Sequence, residues 1–146
     1  MKPKFVEMYM DWAKRCAKLT HARRLQVGAV IVKDDSVISY GYNGMPAGWD
    51  NDCEDVVQHS DDTTSLKTKL EVLHAETNAI AKLARSGYSG LDADIFITHA
   101  PCLECAKLIF QSGIGRVYYS ENYRDDAGIQ FLKKCNIEVI CLTSST

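Results

Sequence analysis

From Lys4 to Leu19 the apolar residues Phe5, Met8, Trp12, Ala13, Cys16 and Leu19 recur at helical spacing, which predicts a first amphipathic helix. A polar, basic connector from Thr20 to Arg24 follows. Val27-Gly-Ala-Val-Ile-Val32 is then a continuous, β-branched apolar run, the pattern of a buried strand rather than of a helix. The turn Lys33–Ser36 leads into Val37-Ile-Ser-Tyr40, so the first two strands are expected to pair as an antiparallel hairpin. Between Gly41 and about Glu71 the periodicity is lost. Gly41, Gly44, Pro46 and Gly48 interrupt any long element, and Asp50, Asp52, Glu54, Asp55, Asp61 and Asp62 make the stretch acidic. A loop of this length inside a compact domain is expected to be a lid or a partner surface.

Helical spacing resumes at His74, with Ala75, Ala79, Ile80 and Leu83 apolar, and stops at Ser86-Gly87. Asp94–Thr98 reads as a strand, Cys102–Ser112 as a helix ended by Gly113, and Arg116–Ser120 as a strand. Ile129–Lys134 reads as a short helix and Glu138–Leu142 as the last strand. A helix, two strands, then strands alternating with helices predict one α/β domain over 1–146, with helices on both sides of a mixed sheet.

Composition narrows the ligands. A length of 146 residues suits one domain that buries its core without cross-links. The net charge of −2 lacks the positive excess that a long nucleic acid demands, so no nucleic-acid partner is expected. No apolar run approaches the roughly 20 residues that span a bilayer. Met1–Met10 is unlike a signal peptide, and a cytoplasmic protein with no membrane partner is expected. In such a setting a Cys-x-x-Cys pair is more often metal-binding or redox-active than a disulfide framework, although six cysteines are present.

That pair is Cys102 and Cys105, inside Pro101-Cys102-Leu103-Glu104-Cys105. The i, i+3 spacing behind a proline puts both sulfurs on one face of a first helical turn. His74 also opens a helix after a loop and is the best third ligand for a zinc ion. His74 and Glu76 lie about 200° apart on a regular helix, so they share a site only at the helix tip. A structural zinc site is closed by four protein ligands, commonly from a second Cys-x-x-Cys, which is absent. Three ligands beside a carboxylate describe instead an open, hydrolytic site with Glu76 moving protons. A redox dithiol, or a structural site completed by Cys53 or His59, are the alternatives.

His74-Ala75-Glu76 followed by Pro101-Cys102-Leu103-Glu104-Cys105 resembles the H-x-E … P-C-x-x-C signature of the zinc-dependent cytidine and deoxycytidylate deaminases. Val27-Gly-Ala29, Gly41-Tyr-Asn-Gly-Met-Pro46, His74–Ala79 and Glu104–Ile114 extend the resemblance over about Val27 to Tyr123. The Gly-Tyr-Asn-Gly element is similar to the dCMP deaminases within that superfamily. The resemblance implies a three-layer α/β/α cytidine-deaminase-like fold with a central mixed five-stranded sheet. It also implies hydrolytic deamination of dCMP to dUMP and ammonia, supplying dUMP for thymidylate synthesis, with one catalytic Zn2+ held by His74, Cys102 and Cys105 and Glu76 as acid and base.

Further roles follow from the same resemblance. Asn43 contacts the substrate sugar, or caps a turn. Ala75 joins the substrate site, and Tyr123 packs near the base, or is a core tyrosine. A substrate 5′-phosphate needs a cation, and by position rather than by resemblance Arg24 or Arg23, just before the first strand, is the nearest candidate, or is a surface charge. Gly41, Tyr42, Asn43 and Gly44 belong to an effector site for dCTP, an activator bound with Mg2+, and dTTP, an inhibitor. The acidic Asp50–Asp62 loop holds that Mg2+, or is merely solvated. Arg85 is a subunit-interface arginine of a homohexamer, or an exposed charge at a helix end. His21, Cys53 and His59 raise a second, structural zinc. Cys16, Cys135 and Cys141 read as core thiols. The rival functions are deamination of free cytidine or deoxycytidine, dCTP or tRNA adenosine, and a non-catalytic nucleotide-binding regulator.

Overall fold

A computed structural model of the chain describes residues 1–143. The elements run α1 (Pro3–Ala17), β1 (Gly28–Lys33), β2 (Ser36–Tyr42), β3 (Glu54–Gln58), β4 (Thr64–Thr68), α2 (Ala75–Ala84), β5 (Asp94–His99), α3 (Leu103–Gln111), β6 (Arg116–Glu121), α4 (Ala127–Lys134) and β7 (Glu138–Cys141). Five strands form one sheet in the order β2-β1-β5-β6-β7. β1 is antiparallel to both its neighbours, whereas β5, β6 and β7 are parallel, so the sheet is mixed.

Both faces of this sheet are covered. Along β1 and β5, Ala29, Ile31, Ile95 and Ile97 face the core shared with α2, α3 and α4, while Val30, Val32 and Phe96 face α1. That two-sided burial explains the unbroken apolar run of β1. On the α1 side Phe96 stacks on Tyr118 with ring centroids 4.5 Å apart. The three-layer α/β/α arrangement is the one expected. No helix among the described residues is long and apolar enough to cross a membrane.

The structure departs from the sequence pattern in three places. The face of α1 that packs on the sheet carries Val6, Tyr9, Met10, Ala13 and Ala17, whereas Phe5, Met8 and Trp12 of the expected stripe are 38%, 39% and 50% exposed. The helix is apolar on two sides, and the small residues Ala13 and Ala17 let it lie close on β1. The stretch from Gly41 to Glu71 is not one irregular loop. It holds the antiparallel hairpin β3–β4, a two-stranded sheet separate from the main one. Little of this hairpin is buried beyond Glu54, so its strands lack the alternation that a packed face imposes. Cys141 is exposed, and Cys16 and Cys135 are half-buried, so none of the three is a core thiol. All six cysteines are free.

Candidate active site

His74 and Cys102 are the N-cap residues of α2 and α3, both with extended backbone, and Cys105 lies in the first turn of α3. The two helix starts therefore meet at one end of the core, where unpaired N–H groups and the helix dipoles favour anionic ligands. Three donor atoms converge there, all within 4.8 Å of one another. His74 Nδ1 lies 3.3 Å from Cys105 Sγ and 3.6 Å from Cys102 Sγ. Two atoms bound tetrahedrally to one zinc ion at the usual N and S bond lengths are about 3.5 Å apart, so the donor set fits that ion. Among the described residues no other group of three or more His, Cys, Asp or Glu side chains converges in this way.

The thiols are already divided by their surroundings. The hydrogen bond from Cys105, reinforced by His74, holds the Cys102 thiol down to about 4. Its hydrogen bond to Cys102 and its own burial push the Cys105 thiol up. The hydrogen bond with Cys102 raises the His74 imidazole, against the opposing effect of burial. Glu76, in the first turn of α2, is 4% exposed. Burial pushes its carboxyl up, partly offset by its backbone hydrogen bond and by His74. A carboxyl raised by burial is suited to moving protons near neutral pH.

His74, Ala75, Glu76 and Cys102 line a cavity of about 570 Å3, together with Asn43, Arg24 and Tyr123. Sequence reasoning had named these seven residues from distant parts of the chain, and the fold brings them to one place. Asn43 sits in the wall with its amide engaged: Oδ1 accepts from the Val27 N–H (3.0 Å) and Nδ2 donates to the Leu25 carbonyl (2.8 Å). It fixes the chain entering β1. Gly41 lies against α2, where a Cβ would come within 2.3 Å of the Ala75 carbonyl oxygen, so only glycine permits this approach of strand to helix. Tyr42 accepts from Asn78 Nδ2 through its carbonyl, and Gly44 pairs with Leu73 beside His74. The Gly41–Gly44 segment thus braces the start of α2. Arg85 is the exposed C-cap residue at the other end of that helix.

The remaining candidates lie elsewhere. Arg23 turns outward to Asp52 at 3.2 Å, leaving Arg24 as the cavity-lining member of the pair. His21, Cys53 and His59 do not converge: the Cys53 thiol donates to the Asn51 carbonyl, and His59 meets Ser65 Oγ at 2.7 Å. The second zinc site raised by the sequence is thus not formed among the described residues. In the acidic stretch Asp52 also lies 3.9 Å from Lys69, as does Asp55.

Several lining residues escaped the sequence reading. The hairpin supplies Glu54, Lys67, Thr68 and, just beyond β4, Lys69; Arg124 follows Tyr123. Lys67 and Lys69 stand out as cations in an acidic stretch, a signal that was available, whereas Glu54 looked like its neighbours. His99, at the end of β5, also lines the cavity, held by Glu121 at 2.8 Å and Thr98 at 2.9 Å.

The Pro101–Cys102 turn is supported from behind by α4. Gly128 packs so closely there that a Cβ would stand 2.2 Å from the Pro101 carbonyl oxygen and 2.9 Å from the Cys102 carbonyl carbon. Gly128→Ala is therefore expected to displace α4 or the ligand turn, at about 1–3 kcal/mol. Thermal denaturation should fall by several degrees, and zinc should be lost to a chelator at lower concentration than from the wild type. An unchanged Tm and metal content would show that the turn does not depend on this contact.

Known proteins bear on the same region. The family model described as the cytidine and deoxycytidylate deaminase zinc-binding region matches residues 3–121. The chain is 41% identical over 101 residues to ComE operon protein 2 of Bacillus subtilis, covering 69% of this chain and 51% of that protein. It is 35% identical over 147 residues to the deoxycytidylate deaminase of Saccharomyces cerevisiae, covering 95% of this chain and 45% of that one. The chain thus spans about half the length of these two relatives. Among solved structures, the dCMP deaminase from the cyanophage S-TIM5 in complex with dCMP and dUMP superposes with a TM-score of 0.86 at 38% identity, covering 97% of this chain and 99% of that one. With the family model matched from α1 through β6, the chain belongs to the cytidine and deoxycytidylate deaminase zinc-binding family.

Proposed function

We propose that this chain, as a single domain, is a zinc-dependent dCMP deaminase, hydrolysing dCMP to dUMP and ammonia. The observation that carries this reading is the convergence of His74, Cys102 and Cys105 beside the buried Glu76 at a cavity whose lining also holds Arg24, Lys67, Lys69 and Arg124. Among the described residues the only carboxylates lining that cavity are Glu54 and Glu76, both buried, so its exposed side-chain charge favours an anionic ligand. The likeness to a deaminase that holds dCMP and dUMP supports the same substrate.

His74, Cys102 and Cys105 would hold the zinc. When bound, that ion supplies the Lewis acid that makes a water nucleophilic at neutral pH. Glu76 accepts a proton as the water attacks carbon-4 of the cytosine and delivers it to the neighbouring ring nitrogen; it then takes the second proton from the new carbon-4 hydroxyl and passes it to the amine, which leaves as ammonia as the carbonyl forms. One water enters and one ammonia leaves, so Glu76 ends as it began. Its burial beside Ala75 excludes bulk solvent from these transfers. Tyr123 packs at the base and Arg24 meets the 5′-phosphate, while Asn43 orders the wall at the sugar.

The deaminases that the sequence resembles extend the reading: a cytoplasmic homohexamer with Arg85 at a subunit interface, activated by dCTP with Mg2+ and inhibited by dTTP through the Gly41–Gly44 segment, and supplying dUMP for thymidylate synthesis. Conversion of dCMP to dUMP, followed with and without dCTP–Mg2+ or dTTP, tests both levels. Turnover of dCMP raised by dCTP and lowered by dTTP is the expected result. Turnover indifferent to both effectors would remove the regulatory part, and absence of dUMP under all conditions would remove the whole reading.

A further inference from the structure

We propose that Glu54 is a positioning residue that presents the Arg24 guanidinium to the substrate phosphate, and so sets the preference for a nucleotide over its nucleoside. This inference rests on the deaminase reading above.

Glu54 opens β3, and its side chain is 1% exposed in the wall of the cavity. One carboxylate oxygen, Oε2, accepts from two consecutive backbone N–H groups, Arg23 at 2.9 Å and Arg24 at 3.0 Å. The two bonds tie the connector before β1 to the first residue of the hairpin. The other oxygen, Oε1, is buried and has no hydrogen-bond partner; Arg23 Nε lies 3.5 Å away. A buried carboxylate with half of its acceptor capacity unused is an expensive way to close a loop, since an apolar side chain would bury here without that cost. What the carboxylate does achieve is to separate two neighbouring arginines. Arg23 turns to Asp52 outside, and Arg24 reaches the cavity. There Arg24 Nη1 lies 3.4 Å from Thr68 Oγ1, and among the described residues no carboxylate pairs with it. A guanidinium held by its backbone and left without a counter-ion beside a cavity is prepared for a phosphate.

The role predicts a change in discrimination rather than in chemistry. The quantity to measure is the ratio of kcat/KM for dCMP to that for deoxycytidine, which shares the base and sugar but lacks the phosphate. Glu54→Ala should lower this ratio about tenfold, chiefly through KM for dCMP, the worth of one hydrogen bond to a charged group. Glu54→Gln keeps an oxygen for both N–H groups without the charge, and should lower the ratio less, about threefold. It carries the test alone if the alanine variant does not fold. Arg24→Ala should lower the ratio at least as far as Glu54→Ala, and the double variant should be no worse than Arg24→Ala. If Glu54 only supports the fold, both substrates decline together and the ratio in the Glu54 variants stays at the wild-type value; that result overturns the proposal. A wild type that forms no dUMP from dCMP would instead refute the deaminase reading, and this inference with it.

Discussion

Replacing Glu76 with Gln is expected to lower kcat for deamination by roughly a thousandfold, within the range that one positioned acid–base group contributes. The size of the effect follows from location. Glu76 is 4% exposed, and among the described residues the one other carboxylate lining the cavity, Glu54, is tied to the Arg23 and Arg24 N–H groups. Glutamine fills the same volume, so the cavity should keep its shape and the protein its fold. It also leaves the three ligand side chains intact. The variant should therefore retain zinc at the wild-type stoichiometry and bind dUMP, while ammonia release nearly stops. Retained zinc with a lost turnover separates a proton carrier from a structural carboxylate. Activity within about tenfold of the wild type would assign the proton transfers to another group.

The second large effect is expected at Cys105. This thiol is buried, touches His74 Nδ1 at 3.3 Å and Thr77 Oγ1 at 3.7 Å, and is built into the first turn of α3. Cys105→Ala leaves two ligands on a site that tolerates no fewer than three. Zinc affinity should fall by far more than the roughly 10–100-fold that loss of an outer partner costs a metal site. Activity should reach background. Because zinc binds only the folded chain, its loss also removes its contribution to stability, and Tm should fall in the variant and in chelator-treated wild type alike. The two differ on readdition of zinc. Wild-type protein should recover activity and Tm, and the variant should recover neither. Full activity in the variant, or in wild type stripped of metal, would contradict the hydrolytic zinc site.

The reach of the sequence depended on how local each signal was. Pro101-Cys102-x-x-Cys105 is a helix start written in consecutive residues, and His74-Ala75-Glu76 is another, so the ligands could be named before any fold was known. The central strands were equally plain, because β1 and β5 are buried on both faces and their apolar character is continuous. The β3–β4 hairpin was illegible for the opposite reason. It packs no face against the core, so its residues carry charge and turn signals instead of alternation. With the hairpin went Glu54, whose importance lies in the Arg23 and Arg24 N–H groups that it accepts from across the fold. The apolar stripe of α1 was misjudged because Phe5, Met8 and Trp12 compete with the true packing face, and helical spacing alone cannot rank two apolar sides. Gly128 shows the same limit: its need for hydrogen in place of a side chain arises from Pro101, 27 positions away, and leaves no local trace.

The central claim is that zinc at His74, Cys102 and Cys105, with Glu76, removes the amino group of dCMP. Its most direct test is ammonia release by the zinc-loaded protein, measured in parallel on dCMP, deoxycytidine, dCTP and a tRNA adenosine substrate. The predicted result is one ammonia per dUMP formed, with kcat/KM for dCMP the highest of the four and abolished in Glu76→Gln. Ammonia from adenosine or from deoxycytidine in preference to dCMP, or from none of the four, would contradict it.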